Sequence, residues 1–169
     1  MRLAIFTLTV SILLCTASSA QPTKKKDEKP PDTGSLKEIT EVGGKTLSKW
    51  IDEISAKDPS KRAMAMRTVL AFGPEKAQQA VPAILKELGK HRPLTAPIDM
   101  SVRLDGAMAL GTILSSAKEP DAKDIAEAVR ILKIFCHDEQ VLVKARAVQA
   151  LAALARLGPA ISTEIASPQ

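Results

Sequence analysis

Aromatic and metal-binding residues are scarce in this sequence of 169 residues. It contains three Phe, one Trp and no Tyr, so aromatic side chains make up 2% of the chain. Proteins that bind single-stranded nucleic acid or sugars by stacking need several rings, and this composition excludes that class. The two His and two Cys also leave few ligands for a metal site.

Recognisable catalytic motifs are missing as well. The sequence has no HExxH, CxxC, GxSxG or phosphate-loop pattern, and its two histidines, His91 and His137, have no matched ligand spacing. Adjacent helical residues point about 100° apart, so Cys136 and His137 make a poor nucleophile–base pair. We therefore expect a protein that is not an enzyme, with no catalytic residue, cofactor or metal.

The first twenty residues have the pattern of a secretory signal peptide. Arg2 precedes an uncharged apolar run from Leu3 to Leu14, and small residues at Ser18 and Ala20 suit signal peptidase. We expect cleavage between Ala20 and Gln21 and export to the periplasm or the medium. An uncleaved anchor and lipidation of Cys15 are the alternatives, because Lys24–Lys26 is a basic cluster that hinders translocation.

Cleavage would change the cysteine count and the charge of the mature chain. It would remove Cys15 and leave Cys136, which cannot form an intramolecular disulfide and is expected to be buried in an apolar helical run. It would also remove Arg2 from a chain whose formal net charge is +5. Residues 21–44 are rich in Lys, Pro, Asp and Glu, which predicts a flexible linker. Membrane contact is expected only through Lys24–Lys26 in that linker.

From residue 45 the sequence repeats with a period of 41 residues. Apolar residues at Leu47, Trp50, Ile51 and Ile54 follow the helical i, i+3, i+4, i+7 rule, and similar sets recur along the chain. Two helices per period predict an all-α fold, a short α-solenoid of about three helical hairpins at residues 45–73, 74–117 and 121–158. This repeat domain spans residues 45–160, and residues 161–169 form a tail.

The second helix of each predicted hairpin carries the clearest repeat. Basic residues stand at three positions that are 41 residues apart, namely Arg62, Arg103 and Lys144. The apolar sets that follow them predict the buried face of each helix: Ala65, Met66, Val69 and Phe72; Gly106, Ala107, Leu110 and Ile113; Ala147, Val148, Leu151 and Leu154. The carboxylates Asp138 and Glu139, which lie between the last two helices, are expected at the surface.

These motifs resemble the HEAT-repeat family, especially exported bacterial HEAT-like proteins. Residues 99–110 are similar to the family's Asp-x-x-Val-Arg-x-x-Ala-Ala-x-Ala-Leu signature, and residues 44–51 and 72–83 are similar to the exported members. In that family the Asp and Arg of the signature form a ladder between neighbouring repeats. The resemblance thus implies a structural role, with anion binding as the alternative, for Asp58, Arg62, Asp99, Arg103 and Lys144.

The resemblance also implies a binding surface, because the second helices of HEAT repeats line the concave face. Its outward positions here are Met64, Arg67, Asp105, Met108, Arg146 and Gln149. This mixture of Met, acid, base and amide suits a protein or peptide partner better than nucleic acid, which favours an unbroken basic stripe. Plain solvation of these positions is the alternative.

The functional hypothesis is therefore an exported, non-catalytic scaffold for protein–protein interaction. It would bind its partner through the concave face and through the long loop of the second repeat, His91–Pro97. The alternative is an accessory subunit, or a lyase-like HEAT-repeat protein, that acts on a protein-bound cofactor. The sequence leaves the partner and the oligomeric state open.

Overall fold

The described residues begin with a short β-hairpin rather than with a helix. The structure is a computed structural model, and it describes residues 38–90 and 100–167. Strands β1 (Glu41–Val42) and β2 (Lys45–Thr46) pair antiparallel around Gly43 and Gly44, whose φ angles of 58° and 73° suit glycine. The hairpin lies across the boundary expected between linker and repeat domain. The proposed signal peptide, the Lys24–Lys26 cluster, the His91–Pro97 loop and Asp99 lie outside the described residues.

The rest of the described chain is mostly helical, which confirms the all-α expectation apart from the hairpin. Two short turns of 3₁₀ helix lie at Val69–Phe72 and Gln78–Ala80. The helices are α1 (Leu47–Glu53), α2 (Pro59–Thr68), α3 (Pro74–Ala77), α4 (Val81–Leu88), α5 (Met100–Ser116), α6 (Ala122–Phe135), α7 (Val141–Ala155) and α8 (Pro159–Ala166).

Local sequence explains where several helices begin. The Asp58 carboxylate accepts a hydrogen bond from the Ser60 backbone N–H at 2.9 Å and caps α2. The Asp121 carboxylate caps α6 in the same way through the Lys123 N–H at 2.7 Å. Helices α3 and α8 each begin with a proline that directly follows a glycine, and proline is well suited to the first helical turn. Helix α8 therefore runs past residue 160 into the segment expected to be a tail.

Helix α5 is the central element of the packing. It lies against α2 on one side and against α7 on the other, while α1 packs on α2, α4 on α5 and α6 on α7. Glycines allow the close approach, because a Cβ atom on Gly111 would lie 2.7 Å from the Ala150 Cβ of α7. A Cβ atom on Gly106 would lie 2.6 Å from a methyl carbon of Leu88 in α4.

The core consists mainly of aliphatic side chains with a few rings. Trp50, Phe72 and Phe135 are all buried, and the Trp50 indole N–H donates to the Val42 carbonyl at 2.9 Å, which joins the hairpin to α1. The predicted apolar sets of the second helices are buried with one exception. Val148 is 56% exposed, so its assignment to the core was wrong, because within residues 38–90 and 100–167 no helix covers that flank of α7.

We predict that Gly111→Ala destabilises the protein although alanine favours helices. The new methyl group would clash with Ala150, and overpacking of this kind costs about 1–3 kcal/mol in the free energy of unfolding. The matched control is Thr112→Ala at the neighbouring exposed position of α5, which we expect to change stability by less than about 0.5 kcal/mol. Urea denaturation measures both. A Gly111→Ala protein more stable than wild type would contradict the close contact.

Candidate interaction site

A buried ion pair connects α5 to the turn before α7. The Arg103 guanidinium binds Asp138 with two hydrogen bonds, Nε to Oδ2 at 2.6 Å and Nη2 to Oδ1 at 3.2 Å. Arg103 is 1% exposed and Asp138 is 0% exposed. The bidentate geometry offsets part of the cost of taking both charges out of water.

Asp138 therefore does not lie at the surface, contrary to the sequence-based expectation. The same Oδ1 accepts a hydrogen bond from the Gln140 backbone N–H at 2.9 Å, directly before the first residue of α7. The carboxylate thus joins the side chain of α5 to the backbone that begins α7. The sequence alone does not indicate this burial, because it depends on α5 lying above the turn.

A second pair has the same arrangement one repeat earlier. The Arg62 Nε of α2 lies 3.1 Å from the Glu87 Oε1 of α4, and Glu87 is 4% exposed. Arg62 also donates through Nη1 to the Ala56 and Lys57 carbonyls at 2.9 and 3.1 Å. Each of these arginines thus pairs with an acid of a later segment. For Arg62 the acid lies near the end of α4, and for Arg103 it lies just after the end of α6.

The remaining members of the expected ladder behave differently. Asp58 caps α2 instead of meeting an arginine, and Asp99 is outside the described residues. Lys144, at the third basic position, is exposed, and no carboxylate of the described chain pairs with it. The carboxylates that meet the arginines are Glu87 and Asp138, which lie 25 and 35 residues after their partners and so break the 41-residue period. Because of this irregular spacing, the repeat pattern in the sequence did not identify them as partners.

An open groove of about 270 Å³ lies between α5 and α7. Three of the six predicted binding residues, Met108, Arg146 and Gln149, line it. The Arg146 Nη1 donates to the Gln149 Oε1 at 3.1 Å, which joins two of the polar side chains of the groove. Small residues and hydroxyls complete the lining, and they are Gly111, Ala150, Ala153, Thr112, Ser115 and Ser116.

The hydroxyl side chains of the groove were not identified from the sequence. Thr112 and Ser115 follow Met108 at i+4 and i+7 on α5, so they lie on the same helix face. The set of predicted outward residues would have included them if it had been extended along α5 at helical spacing from Met108. The groove combines a cation, an amide, hydroxyls and the Met108 thioether, a set that can bind both polar and apolar parts of a peptide.

Of the other three predicted binding residues, Arg67 and Asp105 meet at the seam between α2 and α5, and Met64 lies on α2. Met64 is 57% exposed and the Arg67 side chain is 66% exposed, but Asp105 is only 4% exposed. The expectation that Asp105 points outward was wrong, because α2 covers that flank of the central helix. The Arg67 Nη2 lies 2.7 Å from the Asp105 Oδ2, and this hydrogen bond raises the pKa of the guanidinium above its ordinary value.

Cys136 is the cysteine that the structure describes, and it lies half-buried just after α6. Burial raises the pKa of its thiol above the ordinary value, because a thiolate is poorly solvated there. A raised pKa lowers the thiolate fraction near neutral pH, and the thiolate is the nucleophilic form. This environment does not suit a catalytic nucleophile.

The described residues contain neither a metal-binding cluster nor a membrane-spanning helix. Within residues 38–90 and 100–167, no three His, Cys, Asp or Glu side chains are grouped to hold a metal ion. None of the helices in these two ranges is both long enough and apolar enough to cross a bilayer. No protein-family model, curated protein or solved structure matches this chain.

We predict that Asp138→Asn destabilises the protein strongly. It removes the carboxylate charge that binds the buried Arg103 from the turn before α7, and breaking a buried pair in this way costs about 3–5 kcal/mol in the free energy of unfolding. The control is Glu127→Gln, since the exposed Arg130–Glu127 pair of α6, with N···O 2.7 Å, should contribute less than about 1 kcal/mol. Chemical denaturation distinguishes the two. Equal effects would show that the Arg103–Asp138 pair contributes no more than a surface pair.

We predict that Cys136 is alkylated slowly while the protein is folded. In a Cys15→Ser background, iodoacetamide at about pH 8 should modify Cys136 at least ~10-fold more slowly than in urea-unfolded protein, because burial raises the thiol pKa and limits access. The folded-state rate should keep increasing at pH values where an ordinary thiol is already fully ionised. Mass spectrometry follows the reaction, and equal rates in both states would contradict the buried environment.

Proposed function

We propose that the described helices form a short α-solenoid of three HEAT-like hairpins that acts as a non-catalytic scaffold for another protein. The pairs α1–α2, α4–α5 and α6–α7 are the hairpins of this interpretation, and α2, α5 and α7 are their second helices. Two features support it, the 41-residue period of the sequence and the position of α5 between α2 and α7. Neighbouring repeats of a solenoid contact one another in this way.

The observation that carries the function is the groove between α5 and α7. It lies on two second helices, and it brings together Met108, Arg146 and Gln149 from positions 38 to 41 residues apart. The guanidinium, amide and hydroxyl side chains of the groove can bind peptide amides and carboxylates. The remaining lining residues are mostly small and apolar. We infer that the groove accepts a segment of a protein partner.

The charge pattern supports a protein rather than a nucleic acid as the partner. On the neighbouring seam Asp105 offsets the charge of Arg67, so the basic residues of α2 and α7 do not join into one stripe. The proposed export from the cytoplasm points the same way, and it rests on the composition of residues 1–20. Edman sequencing of the mature protein tests the export step, with Gln21 expected at the N-terminus.

Site-specific cross-linking tests the groove. A photoreactive amino acid replacing Gln149 should cross-link one discrete partner in extracts of the cell envelope, while the same residue at Glu127 on α6 should not. Arg146→Glu should then weaken binding of the purified partner at least ~10-fold, because it reverses the charge in the groove. The matched control is Arg130→Glu on α6, which changes the net charge equally.

Two results would contradict the proposal. Equal binding by the Arg146→Glu and Arg130→Glu proteins would place the partner elsewhere on the surface. Cross-linking from Glu127 and Gln149 with the same yield would indicate non-specific association. Calorimetry with the purified partner gives the dissociation constants, and circular dichroism confirms that each variant is folded. A chromophore that co-purifies with the partner would favour the alternative role on a protein-bound cofactor.

A further inference from the structure

One flank of α7 is an apolar stripe that points away from α5. Its residues are Val141, Ala145, Val148 and Ala152, which follow the helical spacing i, i+4, i+7, i+11. All four are exposed, with Val141 at 74% and Val148 at 56%. A contiguous apolar stripe of this kind on an exposed helix face is typical of a surface that contacts another element.

The internal repeat indicates what covers such a stripe. The residues 41 positions earlier, on α5, are Met100, Leu104, Ala107 and Gly111. All of these are buried or half-buried, and α7 lies against α5. At Gly111 the contact is so close that an added Cβ would lie 2.7 Å from the Ala150 Cβ. The residues a further 41 positions earlier are likewise buried or half-buried, and they are Pro59, Ala63 and Met66 of α2 and Leu70 of the 3₁₀ turn after it. Helix α5 lies against α2. On α2 and on α5, therefore, the residues equivalent to the exposed stripe lie against another helix, which is α5 for α2 and α7 for α5.

Charge complementarity indicates the kind of helix. Helix α7 and the residue after it carry Lys144, Arg146 and Arg156 and no carboxylate. Lys144 occupies the repeat position of Arg62 and Arg103, each of which meets an acid of the following unit, Glu87 or Asp138. Within the described residues Lys144 pairs with no carboxylate. In both cases the acid lies outside the covering helix, in α4 or in the turn before α7, so a partner that covers the stripe would be expected to bring a carboxylate beside Lys144.

We propose that this flank of α7 binds an acidic amphipathic helix of a partner protein. Small apolar residues of that helix would pack on Val141, Ala145, Val148 and Ala152, as α7 packs on α5. A carboxylate of the partner would pair with Lys144. This surface is separate from the α5–α7 groove, and it goes beyond the function proposed for the groove.

A second copy of this chain is a poorer occupant on grounds of charge. Two α7 helices packed on each other would bring together two surfaces that carry cations, Lys144 among them, and no carboxylate. Like charges held close across an interface oppose association. The chemistry of the flank thus favours a different, acidic chain.

A designed helical peptide provides the probe. It has the length of α7 and keeps the four residues that face inward from α7, at the spacing of Val143, Ala147, Ala150 and Leu154, with Glu at its other positions. A side-chain bridge holds it helical, because isolated helices of this length are marginal in water. The matched control peptide has Lys in place of every Glu. Fluorescence anisotropy with the full chain should show the Glu peptide binding at least ~10-fold more tightly than the Lys peptide at low salt.

Variants of the chain locate the binding surface. Val148→Glu should weaken the Glu peptide at least ~10-fold, whereas Met64→Glu, an equally exposed apolar position on α2, should leave its affinity unchanged. Lys144→Glu should reduce the preference for the Glu peptide by ~10-fold or more, because it reverses the charge beside the stripe. Circular dichroism of each variant establishes that it is folded, and position 148 is exposed enough to tolerate the change. Arg146 in the groove is left intact in these variants, so failure here is separate from failure of the groove.

Four outcomes would overturn the proposal. One is equal binding of the Glu and Lys peptides, and another is equal loss of binding in Val148→Glu and Met64→Glu. The third is a dimer in analytical ultracentrifugation that Val148→Glu converts to monomer, which would make a second copy the occupant. Absence of binding by the Glu peptide at concentrations up to about 1 mM would also reject an acidic helix as the partner.

Discussion

The buried pair between Arg103 and Asp138 is the interaction on which the arrangement of the last helices depends. It connects the middle of the packing, α5, to the turn from which α7 starts, and the same carboxylate binds the backbone at Gln140. Helix α7 in turn supplies one wall of the groove and the whole exposed apolar flank. A change that displaced α7 would therefore alter both surfaces together.

Close packing is the second constraint, and it complements the first. Gly111 and Ala150 leave no room for an additional methyl group, so α5 and α7 approach as closely as their backbones allow. This approach shapes the floor of the groove and leaves Met108, Arg146 and Gln149 around its rim. The ion pair sets the position of α7 along the fold, and the small residues set its distance from α5.

The same repeat pattern produced a correct and an incorrect prediction at neighbouring positions of α7. Ala147 and Leu154 are buried as expected, whereas Val148 is exposed. Helical periodicity identifies which residues could be covered, but the covering helix is a separate fact of tertiary structure. Asp105 is the opposite case, because the repeat pattern predicts that it is exposed, whereas the neighbouring α2 buries it. Both errors concern the flanks of a helix rather than its inward face, since burial on the flanks depends on the neighbours.

The sequence by itself determined the helical content, most of the inward-facing core and the start of α2 and α6 at Asp58 and Asp121. These features depend on local spacing and on side chains that bind nearby backbone groups, so they can be read along one chain. Tertiary structure alone decided that Glu87 and Asp138 are the buried partners of the arginines, and that three of the six predicted binding residues meet in one groove. The buried pairs require segments that are distant in the sequence to come within hydrogen-bond distance, and their separations of 25 and 35 residues do not follow the repeat. The repeat placed the six binding residues on equivalent positions, but only the packing of α5 against α2 and α7 decided which of them share a groove.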